Sequence, residues 1–306
     1  MNSIVQDNFN KLLAHIDGAY APNTIRAYRA DMQEFIRYCE RAGVCALPAN
    51  PLDIANFLTH SATIGIKAST IKRKESSISA IHRLSYLEDP TKHPEVRIAM
   101  RKVNRKLGTR FSQAHPIDRV MFEEMLACCG NDLRGKRDRL LLRLAFETMR
   151  RRSELVSLRV EDWMPLPNEE SQILLRASKT DQTGFGIPIR LTRKCSQTIE
   201  DWLRSTKLGD GNLLRGVKGS SVTEGLNSGQ ICRIFKKLAK QAGFQSDLAS
   251  RISGHSTRIG GAQELLRDGA SIAQIMAKVG WTKVDTVMRY VGLSPIQAIN
   301  QGARHS

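Results

Sequence analysis

The stretch SGHSTRIGGAQELLRDGASIAQIMAKVGWTKVDTVMRYV, residues 253–291, decides the fold of the second half of the chain. Its apolar spacing predicts three short helices, at about 256–268, 271–279 and 283–291. Gly269 is placed to end the first helix, and Thr282 and Asp285 have the spacing of a capping box at the start of the third. The stretch therefore predicts closely packed short helices with polar residues at their ends.

Two side chains at the first of these helix starts have the spacing of a ligand site. His255 and Arg258 are three residues apart, so they share one helical face. Backbone N–H groups and the helix dipole favour an anion there, and a phosphate is a reasonable ligand. Spacing alone is more typical of a capped helix start with a surface histidine and arginine.

Tyr290 closes the stretch, directly after Arg289. The chain has five tyrosines, and this is the only one after residue 86. A partly buried helical tyrosine is common, so the residue becomes a candidate only together with the basic residues before it.

Further upstream, TMRRRSEL (148–155) places three arginines at a predicted helix–sheet junction. Three adjacent arginines cannot all be buried without partners. Glu154, three residues after Arg151, can orient that guanidinium through a charge-assisted pair. Lys179 lies in the turn SKTDQTG, where a lysine usually serves only solubility but could act on a flexible arm.

The first 107 residues predict an all-α domain. One helix is expected to be capped at Asn23-Thr24 and to end at Gly43, and another follows Pro51. Two more are expected over STIKRKESSISAIHRLSYLE (69–88) and PEVRIAMRKVNRKLG (94–108). Residues 108–117 have no periodicity and predict a linker.

From residue 118 to residue 306 the pattern predicts a mixed domain. Helices are expected at 118–128, 136–149, 193–206 and 228–242, besides the three described above. Three alternating runs, LVSLRVEDW (155–163), SQILLRAS (171–178) and FGIPIRL (185–191), predict a small antiparallel sheet. The fold class is thus mostly α, with an all-α first domain and an α+β second domain.

Charge predicts a polyanionic partner. The net charge is +17 and the pI is about 9.9. Residues 1–110 carry 17 Lys+Arg against 10 Asp+Glu, and the remainder carries 30 against 20, so both parts are basic. Solvated helix faces explain such clusters equally well one at a time. Candidate contacts to a phosphate backbone are Lys72, Arg73, Lys74, Arg101, Arg105, Arg233, Lys236, Lys237 and Lys240.

Other classes of protein are disfavoured. No run of eighteen apolar residues is present, so no membrane span is expected. The N-terminus lacks the pattern of a secretion signal, which predicts a cytoplasmic or nucleoid-associated protein. The six cysteines show neither a disulfide framework nor C-x-x-C spacing, so structural zinc is not expected.

In this order, the residues resemble the tyrosine recombinase (phage-type integrase) family over the whole chain. The matching set comprises Arg151, Lys179, His255, Arg258, Trp281 and Tyr290, with Glu154 in the R-x-x-E pattern. The resemblance implies the DNA breaking–rejoining fold. It also implies a DNA-binding clamp domain at 1–107, a linker at 108–117 and a catalytic domain at 118–306.

The resemblance also implies roles for these residues. Tyr290 would be the nucleophile toward a DNA phosphate, His255 its general base and Lys179 the general acid. Two guanidiniums, from Arg151 and Arg258, would stabilise the transition state, which explains why neither metal nor cofactor is expected. The indole N–H of Trp281 would donate to the same oxygens, and Glu154 would support the first arginine. Strands would be exchanged through a 3′-phosphotyrosine without ATP.

The implied partner is double-stranded DNA with inverted-repeat core sites. The implied assembly is a homotetramer on DNA, in which the tail GLSPIQAINQGARHS (292–306) forms a helix that docks on a neighbouring subunit. A frayed terminus is the plain alternative for this short tail.

Three other functions compete with this interpretation. A type IB topoisomerase uses similar groups but reseals the same strand without a site preference. A non-catalytic DNA-binding relative should have lost at least one catalytic position, and none is missing. A helical RNA-binding protein would need a stacking platform, which an aromatic content of 6% does not favour.

Overall fold

The computed structural model describes residues 2–108, 113–178 and 185–291, with side chains from residue 6 onward. The chain divides into two compact units, Met1–Ser112 and Gln113–Ser306. Lys179 and the tail 292–306, both singled out from the sequence, lie outside the described residues.

The first unit is helical throughout its described residues. Its helices are α1 (Asn2–His15), α2 (Pro22–Ala42), α3 (Pro51–Thr63), α4 (Ala68–Leu84) and α5 (Pro94–Leu107), and a 3₁₀ turn at Pro90–Lys92 precedes α5. Their apolar faces meet around Phe35 and Phe57, whose ring centroids lie 5.1 Å apart and which are almost fully buried. The all-α first domain predicted from periodicity is confirmed.

The ends of α2 show where local rules succeeded and failed. Gly43 ends the helix in the left-handed conformation at φ +70°, as predicted. The predicted cap at Asn23-Thr24 is wrong, because the helix already begins at Pro22 and no side chain caps it. Proline suits the first helical position, since its fixed φ is helical and its missing N–H would have no partner there.

One predicted DNA contact is corrected by the packing of α4 on α2. Lys74 is only 2% exposed, and its Nζ lies 2.5 Å from Glu34 and 5.4 Å from the ring centroid of Phe57. This lysine neutralises a carboxylate between two helices instead of facing solvent. The predicted contact of Lys74 with DNA is therefore wrong. Its neighbours Lys72 and Arg73 remain largely exposed, at 63% and 50% of their side chains.

The second unit combines short helices with two small sheets. Its elements are α6 (Arg119–Ala127), α7 (Leu133–Thr148), α8 (Arg152–Val156), β1 (Trp163–Pro165), β2 (Ser171–Leu175), β3 (Ile187–Leu191), α9 (Arg193–Thr206), β4 (Val217–Lys218), β5 (Ser221–Val222), α10 (Ser228–Gln241), α11 (Ser246–Arg251), α12 (Ser256–Arg267), α13 (Ile272–Val279) and α14 (Val284–Val291). The strands β1, β2 and β3 form an antiparallel sheet in that order, and β4 pairs with β5. The predicted fold class, mostly α with a small antiparallel sheet, is confirmed.

The first predicted strand is largely wrong. Of the run 155–163, Leu155 and Val156 finish α8, residues 160–162 form a 3₁₀ turn, and only Trp163 enters a strand. The alternation of apolar residues was misleading because Glu154 accepts from both the backbone N–H and the guanidinium of Arg151 and so starts a helix just before it. The hairpin of β4 and β5 was not predicted, since two-residue strands carry no detectable period.

The core of the second unit forms around α7. Its leucines at 140, 141, 142 and 144 are all fully buried, so the helix is enclosed on every side. A separate apolar cluster joins α12, α13 and α14, where Ala262, Ile275, Val279 and Val287 are fully buried. This cluster fixes the three helices predicted from residues 253–291 against one another.

The start of α12 is held against the segment before α6 by a close backbone contact. Ile117 N donates to Ser256 O at 3.0 Å, and a Cβ added to Gly260 would stand 1.8 Å from the carbonyl oxygen of Ile117. Only glycine permits this approach. The contact sets the position of the helix that carries Arg258 and begins directly after His255.

We therefore expect Gly260→Ala to destabilise the second unit. The added methyl meets rigid backbone, so the free energy of unfolding should fall by about 3 kcal/mol, at the upper end of overpacking substitutions. Gly209→Ala is the matched control, because an added Cβ there meets nothing within 4 Å. The control should change the value by less than about 0.5 kcal/mol in urea denaturation. Equal denaturation midpoints for the two variants would contradict the contact.

Candidate active site

One open pocket in the second unit brings together five of the six residues predicted to act in catalysis. The cavity has a volume of about 250 Å³ and is lined by Arg151, His255, Arg258, Ile259, Trp281, Thr282, Lys283, Thr286 and Tyr290. These residues come from the starts of α8 and α12, the turn after α13, and α14. The sixth, Lys179, lies outside the described residues.

Arg151 reaches the pocket from a sharp turn between α7 and α8. Met149 adopts the left-handed conformation there, at φ +52°, and Arg151 caps α8. The backbone N–H of Arg151 donates to Glu154 Oε2 at 2.9 Å, and its Nη1 donates to Oε1 at 2.7 Å. Burial alone would raise the pKa of Glu154, but these hydrogen bonds and the arginine charge bring it below its ordinary value. An ionised Glu154 thus fixes the guanidinium in place.

Arg258 is the buried cation of the pocket, with only 2% of its surface exposed. Its Nη1 donates to the backbone oxygen of Met149, whereas its buried Nη2 has no hydrogen-bond partner among the described residues. Burial and the nearby charge of Arg151 lower the pKa of Arg258 to about 10, so it is still charged at neutral pH. A donor with no partner beside a second arginine suits an anion that accepts from both.

His255 stands at the N-cap position of α12, on the rim of the same pocket. Burial, followed by the positive charges of Arg258, Arg152 and Arg151, lowers the pKa of its imidazole. The backbone N–H of His255 is held by Ser253 Oγ at 3.1 Å. The ring is therefore neutral at neutral pH and can accept a proton.

Trp281 and Tyr290 form an aromatic stack across the pocket, with ring centroids 5.2 Å apart and an interplanar angle of 19°. Gly280, at φ +74°, ends α13 and lets the chain turn so that Trp281 faces α14. The guanidinium carbon of Arg258 lies 5.8 Å from the indole centroid. Gln263 Nε2 donates to the backbone oxygen of Tyr290 at 2.9 Å, and this hydrogen bond joins α14 to α12.

The three adjacent arginines go to three different places. Arg150 is buried at 4% exposure and donates from Nη2 to Lys278 O at 3.1 Å. Arg151 lines the pocket, and Arg152 turns to α10, where its Nη1 lies 3.4 Å from Cys232 Sγ. The spacing to Glu154 singled out Arg151. Nothing in the sequence showed that Arg150 contacts Lys278 or that Arg152 contacts Cys232, because both partners lie far away in the chain.

The pocket also contains residues that the sequence interpretation did not assign to the site. Thr282, Lys283 and Thr286 line its outer side around the start of α14. No motif marks them, and only their closeness to Trp281 and Tyr290 in the chain could have suggested them.

The other candidate DNA contacts lie on two helices, one in each unit. Arg101 and Arg105 are exposed on α5. On α10, Arg233, Lys237 and Lys240 are exposed and Lys236 is half-buried. Arg233 and Lys237 line a second, basic cavity of about 430 Å³ together with Arg134, Arg137 and Lys218. Contact of these residues with DNA remains a prediction.

Comparisons with known proteins identify relatives of both units. Residues 117–295 match the phage integrase family, and residues 9–88 match the N-terminal SAM-like domain of phage integrases. The chain is 26% identical over 290 residues to the recombinase Cre of Escherichia phage P1. The aligned region covers 89% of this chain and 84% of that protein.

Two solved structures share the fold. A Tn1549 transposon integrase in complex with transposon right-end DNA matches with a TM-score of 0.68 and 16% identity over 97% of each chain. A lambda integrase tetramer bound to a Holliday junction matches with a TM-score of 0.62 and 18% identity over 93% of this chain and 75% of that chain. In the part of this chain that the structure describes, no helix is long and apolar enough to cross a membrane.

The surroundings of His255 predict a pH dependence. Since burial and three arginines lower its pKa, we expect the ring to titrate below 6.5, the ordinary histidine value. Folding then favours the neutral ring, so the stability this residue contributes is lost as pH falls through the ordinary histidine range. NMR of the ring protons, assigned with His255→Asn, measures the midpoint directly. In urea denaturation, the same variant should lose less stability than the wild type between about pH 7 and about pH 5. A midpoint at or above 6.5 would contradict the assigned environment.

Proposed function

The chain belongs to the phage integrase family of tyrosine recombinases, and we propose that it recombines specific DNA sites through a covalent bond between Tyr290 and a backbone phosphate. The observation that carries this proposal is the single pocket shared by Tyr290, His255, Trp281 and the guanidiniums of Arg151 and Arg258.

The proposed first step is an in-line attack of the Tyr290 phenol oxygen on the phosphorus atom. A bond forms between that oxygen and phosphorus, the bond to the 5′ oxygen breaks, and His255 takes the phenol proton. Negative charge on the non-bridging oxygens would be met by Arg151, already oriented by Glu154, and by the unpartnered Nη2 of Arg258. The indole N–H of Trp281 is a further donor to these oxygens.

We propose Lys179 as the general acid that protonates the departing 5′ oxygen. Its position lies outside the described residues, between β2 and β3, so the proposal rests on the family resemblance. A primary ammonium can protonate the departing oxygen.

In the second step a 5′-hydroxyl from a partner duplex attacks the phosphorus of the 3′-phosphotyrosine and loses its proton to Lys179. The bond to the Tyr290 oxygen breaks, and His255 returns the proton to the phenol. The energy of the broken phosphodiester is conserved in the covalent intermediate, so no ATP or metal is required in the proposed reaction. Resealing of the original strand instead would be the reaction of a type IB topoisomerase.

We further propose that the protein acts as a homotetramer on duplex DNA with inverted-repeat core sites. Support comes from the lambda integrase tetramer on a Holliday junction and from the net charge of +17. The tail 292–306 would dock on the next subunit. A location in the bacterial cytoplasm or nucleoid, and a gene carried by a phage or other mobile element, complete the proposal.

Tyr290→Phe should bind the DNA site with unchanged affinity and form no covalent adduct. Phenylalanine keeps the ring that stacks on Trp281 but lacks the attacking oxygen. A denaturing gel of the protein mixed with suicide substrates made from inverted repeats flanking the native gene reports the adduct. Tyr86→Phe, the same change at a side chain 96% exposed in the first unit, is the matched control and should still be trapped. A trapped Tyr290→Phe protein would overturn the nucleophile assignment.

Lys179→Ala should slow the cleavage of ordinary DNA by at least about 100-fold, the contribution typical of a general acid. A substrate whose leaving atom is a 5′ sulfur needs no protonation, so the variant should cleave it at nearly the wild-type rate. Single-turnover cleavage of both substrates by both proteins measures the effect. An equal loss of rate on the sulfur substrate would remove Lys179 from this role.

A further inference from the structure

Arg152 is an exposed arginine whose side chain packs along the loop that carries His255. A Cβ added to Gly254, the residue before the histidine, would stand 2.2 Å from both Cγ and Cδ of Arg152. The aliphatic stem of Arg152 therefore lies directly on the Gly254 backbone. A stem that covers backbone in this way contributes packing as well as charge.

The end of the same side chain meets a thiol that also binds the loop. Arg152 Nη1 donates to Cys232 Sγ at 3.4 Å, and the backbone N–H of Gly254 donates to the same sulfur at 3.2 Å. Cys232 lies on α10, so a single acceptor joins three elements: α8, α10 and the loop before α12. We call Arg152, Cys232 and Gly254 the loop clasp.

On the other side of His255 the chain is held at Ser256, whose backbone oxygen accepts from Ile117 N at 3.0 Å. Ser253 N donates to Ser256 Oγ at 2.9 Å, and His255 N donates to Ser253 Oγ, but both hydrogen bonds stay within the loop and the first turn of α12. The clasp ties Gly254, next to the histidine, to elements outside that turn.

We propose that Arg152 is a positioning residue, which holds the His255 loop through the clasp and so places the imidazole for proton transfer. The proposal rests on the function proposed above, in which His255 is the base. It assigns a role to Arg152, one of the two arginines that flank Arg151 in the sequence.

The charges around His255 agree with this role. The groups that bear on its ring are Arg258 from α12 and Arg152 and Arg151 from the start of α8, and all three lower its pKa after burial itself. Arg152 is the one of these three that does not line the pocket. Arg152 therefore helps to keep His255 unprotonated from a position outside the pocket.

A direct contact between Arg152 and a DNA phosphate is the competing explanation, since the side chain is exposed. A phosphate contact predicts weaker DNA binding and a smaller salt dependence when the charge is removed. It predicts no coupling between Arg152 and Gly254 in the free protein. The two explanations therefore give different results in the experiments below.

The clasp itself is tested in the full-length protein without DNA by a double-mutant cycle. Gly254→Ala should be destabilising, because its methyl meets the Arg152 stem. In the Arg152→Ala background most of that loss should disappear, whereas Arg152→Met, which keeps the stem, should retain it. Arg159→Ala, at an arginine of the same unit whose side chain is 39% exposed, is the control and should leave the effect of Gly254→Ala unchanged. Additive effects of Arg152→Ala and Gly254→Ala would overturn the clasp.

The positioning role is tested by titration and by kinetics. Both Arg152→Met and Arg152→Ala should raise the NMR midpoint of His255, because each removes a nearby positive charge. In single-turnover cleavage, Arg152→Ala should slow the reaction by about 10-fold to 100-fold, a loss typical of misplaced catalytic groups. The loss should be larger at about pH 6 than at about pH 8. Cys232→Ser, which keeps an acceptor, should stay closer to the wild type than Cys232→Ala.

An unchanged His255 midpoint in both arginine variants would overturn the positioning role. Weakened DNA binding with a reduced salt slope and a normal cleavage profile would assign Arg152 to the phosphate backbone instead. The NMR and stability measurements need no catalysis, so they stay interpretable even if Tyr290 proves not to be the nucleophile. Failure of the wild type to form an adduct would refute the proposed function alone.

Discussion

The buried guanidinium of Arg258 is the constraint on which the site depends. A cation with 2% exposure needs acceptors, and the chain supplies one backbone oxygen, from Met149, at the end of α7. Its second amino group has no partner among the described residues, and Arg151 adds another positive charge next to it. An anion that accepts from both arginines is therefore the natural complement of the pocket, and the neighbouring groups are arranged around it.

That arrangement requires the backbone of α12 to approach other segments very closely. Gly260 lies against the carbonyl of Ile117, and a Cβ on Gly261 would stand 2.6 Å from the Met149 side chain. These two glycines bring the helix that bears Arg258 to the turn whose carbonyl it binds. The apolar cluster of α12, α13 and α14 then fixes Trp281 and Tyr290 on the opposite side. Electrostatic interactions and core packing thus together position Arg258, Trp281 and Tyr290.

Much of this could be predicted from sequence because the determining interactions are local. Gly43 and Gly269 end helices through their backbone freedom, and Asp118 caps α6 by accepting from Met121 N at 2.9 Å. The pairing of Arg151 with Glu154 follows from their spacing alone. The shared pocket of His255, Arg258, Trp281 and Tyr290 was expected through the family resemblance, and Lys179 stays untested.

The incorrect predictions concern features that depend on contacts the local sequence pattern does not show. The burial of Lys74 requires Glu34, forty positions earlier in the chain, and no periodicity reveals such a partner. The run 155–163 alternates like a strand, yet a capping interaction just upstream turns its start into helix. The different surroundings of Arg150 and Arg152 depend on Lys278 and Cys232, which lie far from them in the chain.

The unpartnered Nη2 of Arg258 has a consequence for how this protein could change over time. A buried donor without an acceptor in the protein lowers the free energy of unfolding, so a substitution that supplied an internal acceptor would stabilise the fold. The same substitution would occupy the donor that we propose for the DNA phosphate. Thermal stability and the proposed catalysis therefore make opposite demands on this one nitrogen, and engineering for heat resistance should leave it unchanged.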